Sequence, residues 1–111
     1  MRNVVKVYHR DCDAFDQDYF IHVATVECPV ANTADALEYA YRWTQNIQGS
    51  WSKKIGEDSN DAVLVEEPLK VIKGTVFGHR SSMVQDRFQV STEPDTIYEC
   101  KFFGFERVES K

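Results

Sequence analysis

No stretch of this sequence approaches the ~18 consecutive apolar residues that a membrane-spanning helix needs. The opening run, Met1-Arg2-Asn3-Val4-Val5-Lys6, brings in charge within a few residues, so an export signal is not expected either. Cysteine is limited to Cys12, Cys28 and Cys100, with no Cys-x-x-Cys pair, and an odd number cannot close completely into disulfides. A reducing cytoplasm is the compartment these features predict. Cys28 and Cys100 stand in apolar, strand-like contexts and read as buried, inert thiols. Also missing are the Gly-x-x-x-x-Gly-Lys-[Ser/Thr] and Gly-x-Gly-x-x-Gly loops that cradle phosphates, and the Gly-x-Ser-x-Gly elbow that presents a hydrolase serine.

Positive charge is in short supply: 13 Lys+Arg face 18 Asp+Glu, for a net charge of −5 in 111 residues. Binding to nucleic acid draws on clustered Lys and Arg that release counterions, so direct nucleic-acid binding is disfavoured. The same acidity is too mild for mimicry of a duplex over the whole surface. An antirestriction mimic remains conceivable only through a local acidic face, drawn from residues 11–18 and 57–67. There are no internal repeats, low-complexity tracts or interdomain linkers.

What is present is enough for one core. Hydrophobic residues make up 42% and aromatics 13%, and a chain of this length buries ~65% of its unfolded surface. Residues 3–8 alternate as a strand with Val5 and Val7 on one face, followed by an acidic loop. Residues 19–28 read as a central strand, with Ile21, Val23 and Thr25 on one side and Phe20, His22, Ala24 and Val26 on the other. A helix is predicted over 34–48, capped by Asn32 or Thr33, ended by Gly49, and carrying a core stripe of Ala36, Leu37, Ala40, Trp43, Thr44 and Ile47. Residues 49–61 read as a polar loop, and 69–77 as one strand. A hairpin follows over 87–91 and 97–103, turning at Thr92-Glu93-Pro94-Asp95, with Phe88 and Val90 facing the core. Gly104 precedes a final short strand ending near Val108. The expected fold is α+β, a single domain over 1–111, with one early helix packed on a curved, mostly antiparallel sheet of five or six short strands.

Candidate chemistry is sparse. His9, Asp11, Cys12 and Asp13, with His22, supply metal-ligand atoms, but their spacing matches no zinc module and a solvated loop is the plainer reading. His79, Ser81, Ser82 and Asp86 supply the residue types of a nucleophile, base and orienting carboxylate. A connector whose side chains satisfy backbone groups, with Arg80 paired to a carboxylate, is the expected role instead. Trp43 belongs to the helix stripe. Trp51, among Ser50, Ser52, Lys53 and Lys54, must either fold back onto the core or be covered by a partner.

The stretch Gly78-His79-Arg80-Ser81-Ser82-Met83-Val84-Gln85-Asp86, followed by a hairpin ending Phe103-Gly104-Phe105, resembles the YodL-like domain. Val5-Lys6-Val7-Tyr8, with Asp18-Tyr19-Phe20 further on, is similar to the start of that domain. In this chain the connector is one residue longer, with Gln85 before Asp86. Trp43-Thr44-Gln45-Asn46 and Gly49-Ser50-Trp51-Ser52 resemble small phage and plasmid proteins. The resemblance implies a domain carried by mobile elements, with no established enzymatic activity.

These features lead to the expectation of a non-enzymatic phage or mobile-element accessory protein that binds and modulates a host protein in the host cytoplasm. It would need no cofactor or metal and touch neither nucleic acid nor membrane. The expected contact surface is Trp51, Ser50 and Trp43 together with His79, Arg80, Ser81, Ser82 and Asp86, Trp51 being held outward. An alternative is a domain that binds or hydrolyses a small anionic ligand such as a nucleotide or phosphate, with Arg80 clamping the anion and His79 and the serines completing the recess.

Overall fold

The computed structural model describes residues 3–10, 20–93, 95–102 and 104–108. Among them, β1 (Asn3–Arg10) pairs antiparallel with β2 (Phe20–Cys28) and with β8 (Arg87–Val90). β2 also takes β5 (Val63–Val65), and β8 continues through β9 (Ile97–Lys101) to β10 (Gly104–Val108). The result is a six-stranded sheet in the order β10-β9-β8-β1-β2-β5, every neighbour antiparallel. The α+β expectation holds: α1 (Thr33–Arg42) packs Ala36, Leu37 and Ala40 on the face carrying Val5, Val7, Val26 and Phe88.

Strict alternation in β1 places Asn3, Val5, Val7 and His9 on the buried side. β2 does not alternate throughout. Val7 pairs with Ala24 but Tyr8 pairs with His22, so Val23 is an inserted residue and the strand bulges there. One extra residue reverses the faces beyond it, which corrects the sequence-based assignment. Ile21 joins the side of Ala24 and Val26, and His22 joins Thr25, with His22 Nε2 3.1 Å from Thr25 Oγ1. The bulge thereby turns Ile21 toward the same corner as His9, its cross-strand partner.

The helix starts where expected, Asn32 Oδ1 accepting the Asp35 N–H at 3.2 Å. It is shorter than expected and stops at Arg42, with Trp43 as its C-cap. The Thr44 hydroxyl donates back to the Ala40 carbonyl at 2.8 Å, and Ile47, expected in the core stripe, is exposed. The N–H groups of Ile47 and Gln48 both donate to Asp58 Oδ2 at 2.7 Å. Asp58 is fully buried, and Arg42 donates to its other oxygen at 3.3 Å. Burial pushes this carboxyl up, but those backbone and guanidinium donors outweigh it and hold it below its ordinary value.

The span read as a polar loop is structured. β3 (Gly49–Ser50) and β4 (Ile55–Gly56) form a small hairpin in which a Cβ on Gly49 would collide with the Ile55 carbonyl, so only glycine fits. The span read as one strand over 69–77 is instead two, β6 (Lys70–Ile72) and β7 (Thr75–Phe77). Lys73 and Gly74 between them have φ of 51° and 80°, the paired positive values of a two-residue I′ turn. Cys28 and Cys100 are buried free thiols, pushed up to about 12 and about 11, mainly by burial. Cys12 and the acidic residues 11–18 lie outside the described residues, as do Pro94 and Phe103.

Candidate functional site

The connector running from Gly78 to Asp86 is drawn into the molecule by two elements distant in sequence. From the helix end, the Thr44 carbonyl accepts the Ser82 N–H at 2.9 Å, and Ser81 Oγ accepts the Asn46 N–H at 2.8 Å. From the β3–β4 hairpin, Ser52 Oγ accepts the His79 N–H at 2.7 Å, and Trp51 Nε1 donates to the Arg80 carbonyl at 2.9 Å. Trp51 is only 1% exposed, with the His79 ring stacked on it at 5.7 Å and the His9 ring edge-on at 6.0 Å. The outward-facing Trp51 expected from the sequence is therefore corrected: its polar neighbours bond the connector, and the indole closes the core.

Asp86 is the centre of this knot. Its Oδ1 accepts from the Arg10 N–H at 2.8 Å and Arg80 Nη2 at 2.7 Å. Its Oδ2 accepts from Arg80 Nη1 at 2.6 Å and the Met83 N–H at 2.7 Å. Four donors saturate a fully buried carboxylate. Arg80 was expected to pair with a carboxylate, and it does, through both arms of its fork. The anion-clamp alternative needs that same fork to receive a ligand, and here it grips the chain's own Asp86.

Ser82 and His9 also meet, Nε2 lying 2.9 Å from Oγ. Thr44 Oγ1, 2.7 Å from the same Ser82 oxygen, spends its proton on Ala40. Ser82 must then donate to Thr44 and accept from His9, which assigns the proton to Nε2 of a neutral imidazole. Burial keeps the imidazole neutral by pushing the pKa of His9 down to about 4, against the raising effect of Asp86. A nitrogen that already carries a proton cannot deprotonate the serine it faces. The carboxylate that would orient this ring lies 3.8 Å from the same nitrogen, not from Nδ1. His79 points elsewhere, its Nε2 2.8 Å from the Glu67 carbonyl. The serine, histidine and carboxylate form a structural chain and lack the geometry of nucleophilic catalysis.

The remaining expected contact residues are peripheral to this knot. Trp43 is half-buried at the helix end under the Arg42 guanidinium, 4.3 Å from its ring centroid. Ser50 accepts the Lys53 N–H at 3.2 Å and packs close to Gly78. The structure thus brings Ser50, Trp51, His79, Arg80, Ser81, Ser82 and Asp86 together, but as an internal brace. No group of three or more potential metal ligands occurs among the described residues.

The 70–77 hairpin leaves this brace and projects. All six strand residues are exposed, and Val71, Ile72, Val76 and Phe77 are each between 42% and 60% exposed. Its base is held by the His79–Glu67 bond and by Lys53 Nζ, 3.4 Å from the Val76 carbonyl. Between it and the ends of β1 and β2 lies a groove of about 470 Å³, to which Ile21, Val23, Lys70, Phe77 and Met83 contribute. Sequence reasoning passed over this hairpin, although the Lys73-Gly74 pair between two β-branched runs is the available signal. No helix among the described residues is long and apolar enough to cross a membrane. No known protein-family model, curated protein or solved structure matches the chain.

Proposed function

We propose that this chain is a non-enzymatic binding module of the kind phage and plasmids encode, acting in the host cytoplasm by docking on a host protein through the 70–77 hairpin. The observation that carries this reading is a two-stranded hairpin with four large apolar side chains exposed and, among the described residues, no further strand paired to it. Such a ribbon is marginal on its own, and exposed apolar side chains on both of its faces, Val71 and Val76 on one and Ile72 and Phe77 on the other, are the kind of surface a partner covers. The resemblance of the connector and of the tryptophan region to mobile-element proteins supports the context. The saturated state of Asp86 and the relay from His9 to Thr44 support a structural role for the polar cluster.

Replacing both Ile72 and Val76 by Asp tests the proposal. Capture of partner from host lysate should be lost while the thermal midpoint stays within a few degrees. Undiminished capture by this variant would sink the docking role of the hairpin.

A further inference from the structure

We infer that the partner presents an extended segment that adds as a strand along the outer edge of β6, placing a carboxylate opposite Lys70 and an aliphatic side chain two residues away opposite Ile72. This rests on the docking role proposed above and specifies what the hairpin takes.

The edge follows from the register. Ile72 and Thr75 flank the two-residue turn and so exchange both ladder bonds, which makes Val71 and Val76 the non-bonded pair whose peptide groups face outward. On the β7 side the Val76 carbonyl receives Lys53 Nζ. On the β6 side no strand pairs with Val71 among the described residues. An added strand would satisfy the outward Val71 N–H and C=O and cover Val71 on one face and Ile72 on the other.

The chemistry follows from charge. The 70–77 hairpin holds Lys70 and Lys73 and no acidic residue, while the rest of the chain has 11 cations against 18 anions. A second copy docking hairpin to hairpin would bring the Lys70 and Lys73 of both copies to one shared edge, which opposes self-association. An anionic bilayer would face the whole acidic protein. A narrow peptide segment feels chiefly the charges within about one Debye length, ~8 Å at physiological salt; Lys70 and Lys73 lie on the edge strand and its turn, while Glu67 lies on the groove side.

The probe is a labelled ten-residue peptide with a Glu-Val-Ile core, compared by fluorescence anisotropy with peptides of Lys-Val-Ile and Glu-Ser-Ser core. The acidic–apolar peptide should bind at least about tenfold more tightly than either control, and raised salt should weaken it. Lys70→Glu with Lys73→Glu should reverse the preference toward the lysine peptide. Val71→Pro, which removes the outward N–H and the valine side chain but no ladder donor to β7, should abolish binding while leaving circular dichroism unchanged. Equal binding of all three peptides, binding of phosphatidylglycerol vesicles instead, or a dimer in sedimentation that the Ile72→Asp, Val76→Asp variant dissociates would each overturn the inference. If that same variant loses its lysate partner but the Lys70→Glu, Lys73→Glu variant keeps it, the docking role stands and the acidic-strand inference fails. Retention by both removes the docking role itself.

Discussion

Two neighbouring stretches of this chain reverse the usual partition of polar and apolar groups. Residues 79–86, rich in hydroxyls and charge, run inward and place Ser82 and Asp86 out of water. Residues 70–77, rich in β-branched and aromatic side chains, stand in solvent. A buried polar group is tolerated only when its bonds are complete, and Asp86 with four donors and Ser82 with two partners meet that condition. An exposed apolar ribbon has no such internal compensation. The comparison assigns stability to the first region and recognition to the second, and each assignment can be broken separately.

The largest effect is expected at the knot. Asp86→Asn supplies one acceptor oxygen where two were saturated, sets an amide against donors, and leaves the Arg80 fork without its carboxylate. Breaking a buried pair in this way costs about 3–5 kcal/mol, and Trp51→Ala, which removes a buried ring, about the same. Urea denaturation of both variants checks this. A loss below ~1 kcal/mol for Trp51→Ala would return that ring to the surface role the sequence suggested.

Next in size is a pH effect carried by His9. Its folded pKa of about 4 lies below the ordinary 6.5, so between those values the unfolded chain holds the extra proton. Above pH 6.5 the ring is neutral in both states and contributes no pH dependence. As pH falls from 6.5 to 4 stability declines, by about 3 kcal/mol at full depth. His9→Gln keeps a nitrogen donor for Ser82 and removes the titration, so its stability should be flatter than wild type across pH 6.5 to 4.5. Asp58 and Glu93, both held below their ordinary values, lose their stabilising charge at lower pH and complicate only the acid end. Glu93 is lowered chiefly by hydrogen bonds from Thr33 and Tyr98. Parallel pH curves for wild type and His9→Gln would contradict the assigned neutral relay.

What the sequence disclosed was local. The helix cap at Asn32 or Thr33, the Val5/Val7 face and the hairpin joining the strands that begin at Arg87 and Ile97 depend on neighbours a few residues apart or on simple alternation. The end of the helix is set by Ser81 and Ser82, more than 30 residues downstream, so glycine punctuation at Gly49 placed it too late. The Val23 bulge leaves no mark on an alternation count, and that misplaced Ile21 and His22. Among the site residues, their mutual proximity was legible and their direction was not. Whether Trp51 points in or out is decided by the Arg80 carbonyl that takes its indole N–H, a contact across 29 residues that no short window contains.

The smallest stability effect is expected on the hairpin, and it is the sharpest test of the contrast between the two regions. Val76→Asp alters a side chain on a ribbon whose strands, among the described residues, pair only with each other, so it forfeits little buried area and leaves the six-stranded sheet intact. Surface substitutions of this kind fall within about 0.5 kcal/mol. Because Val76 meets Val71 across a non-bonded pair, the cost should stay local, and exchange of the backbone amides of β1 and β2 should match wild type. A loss comparable to that of Trp51→Ala would mean that the ribbon braces the core. Its apolar surface would then be a structural necessity, and the separation of stability from recognition would collapse.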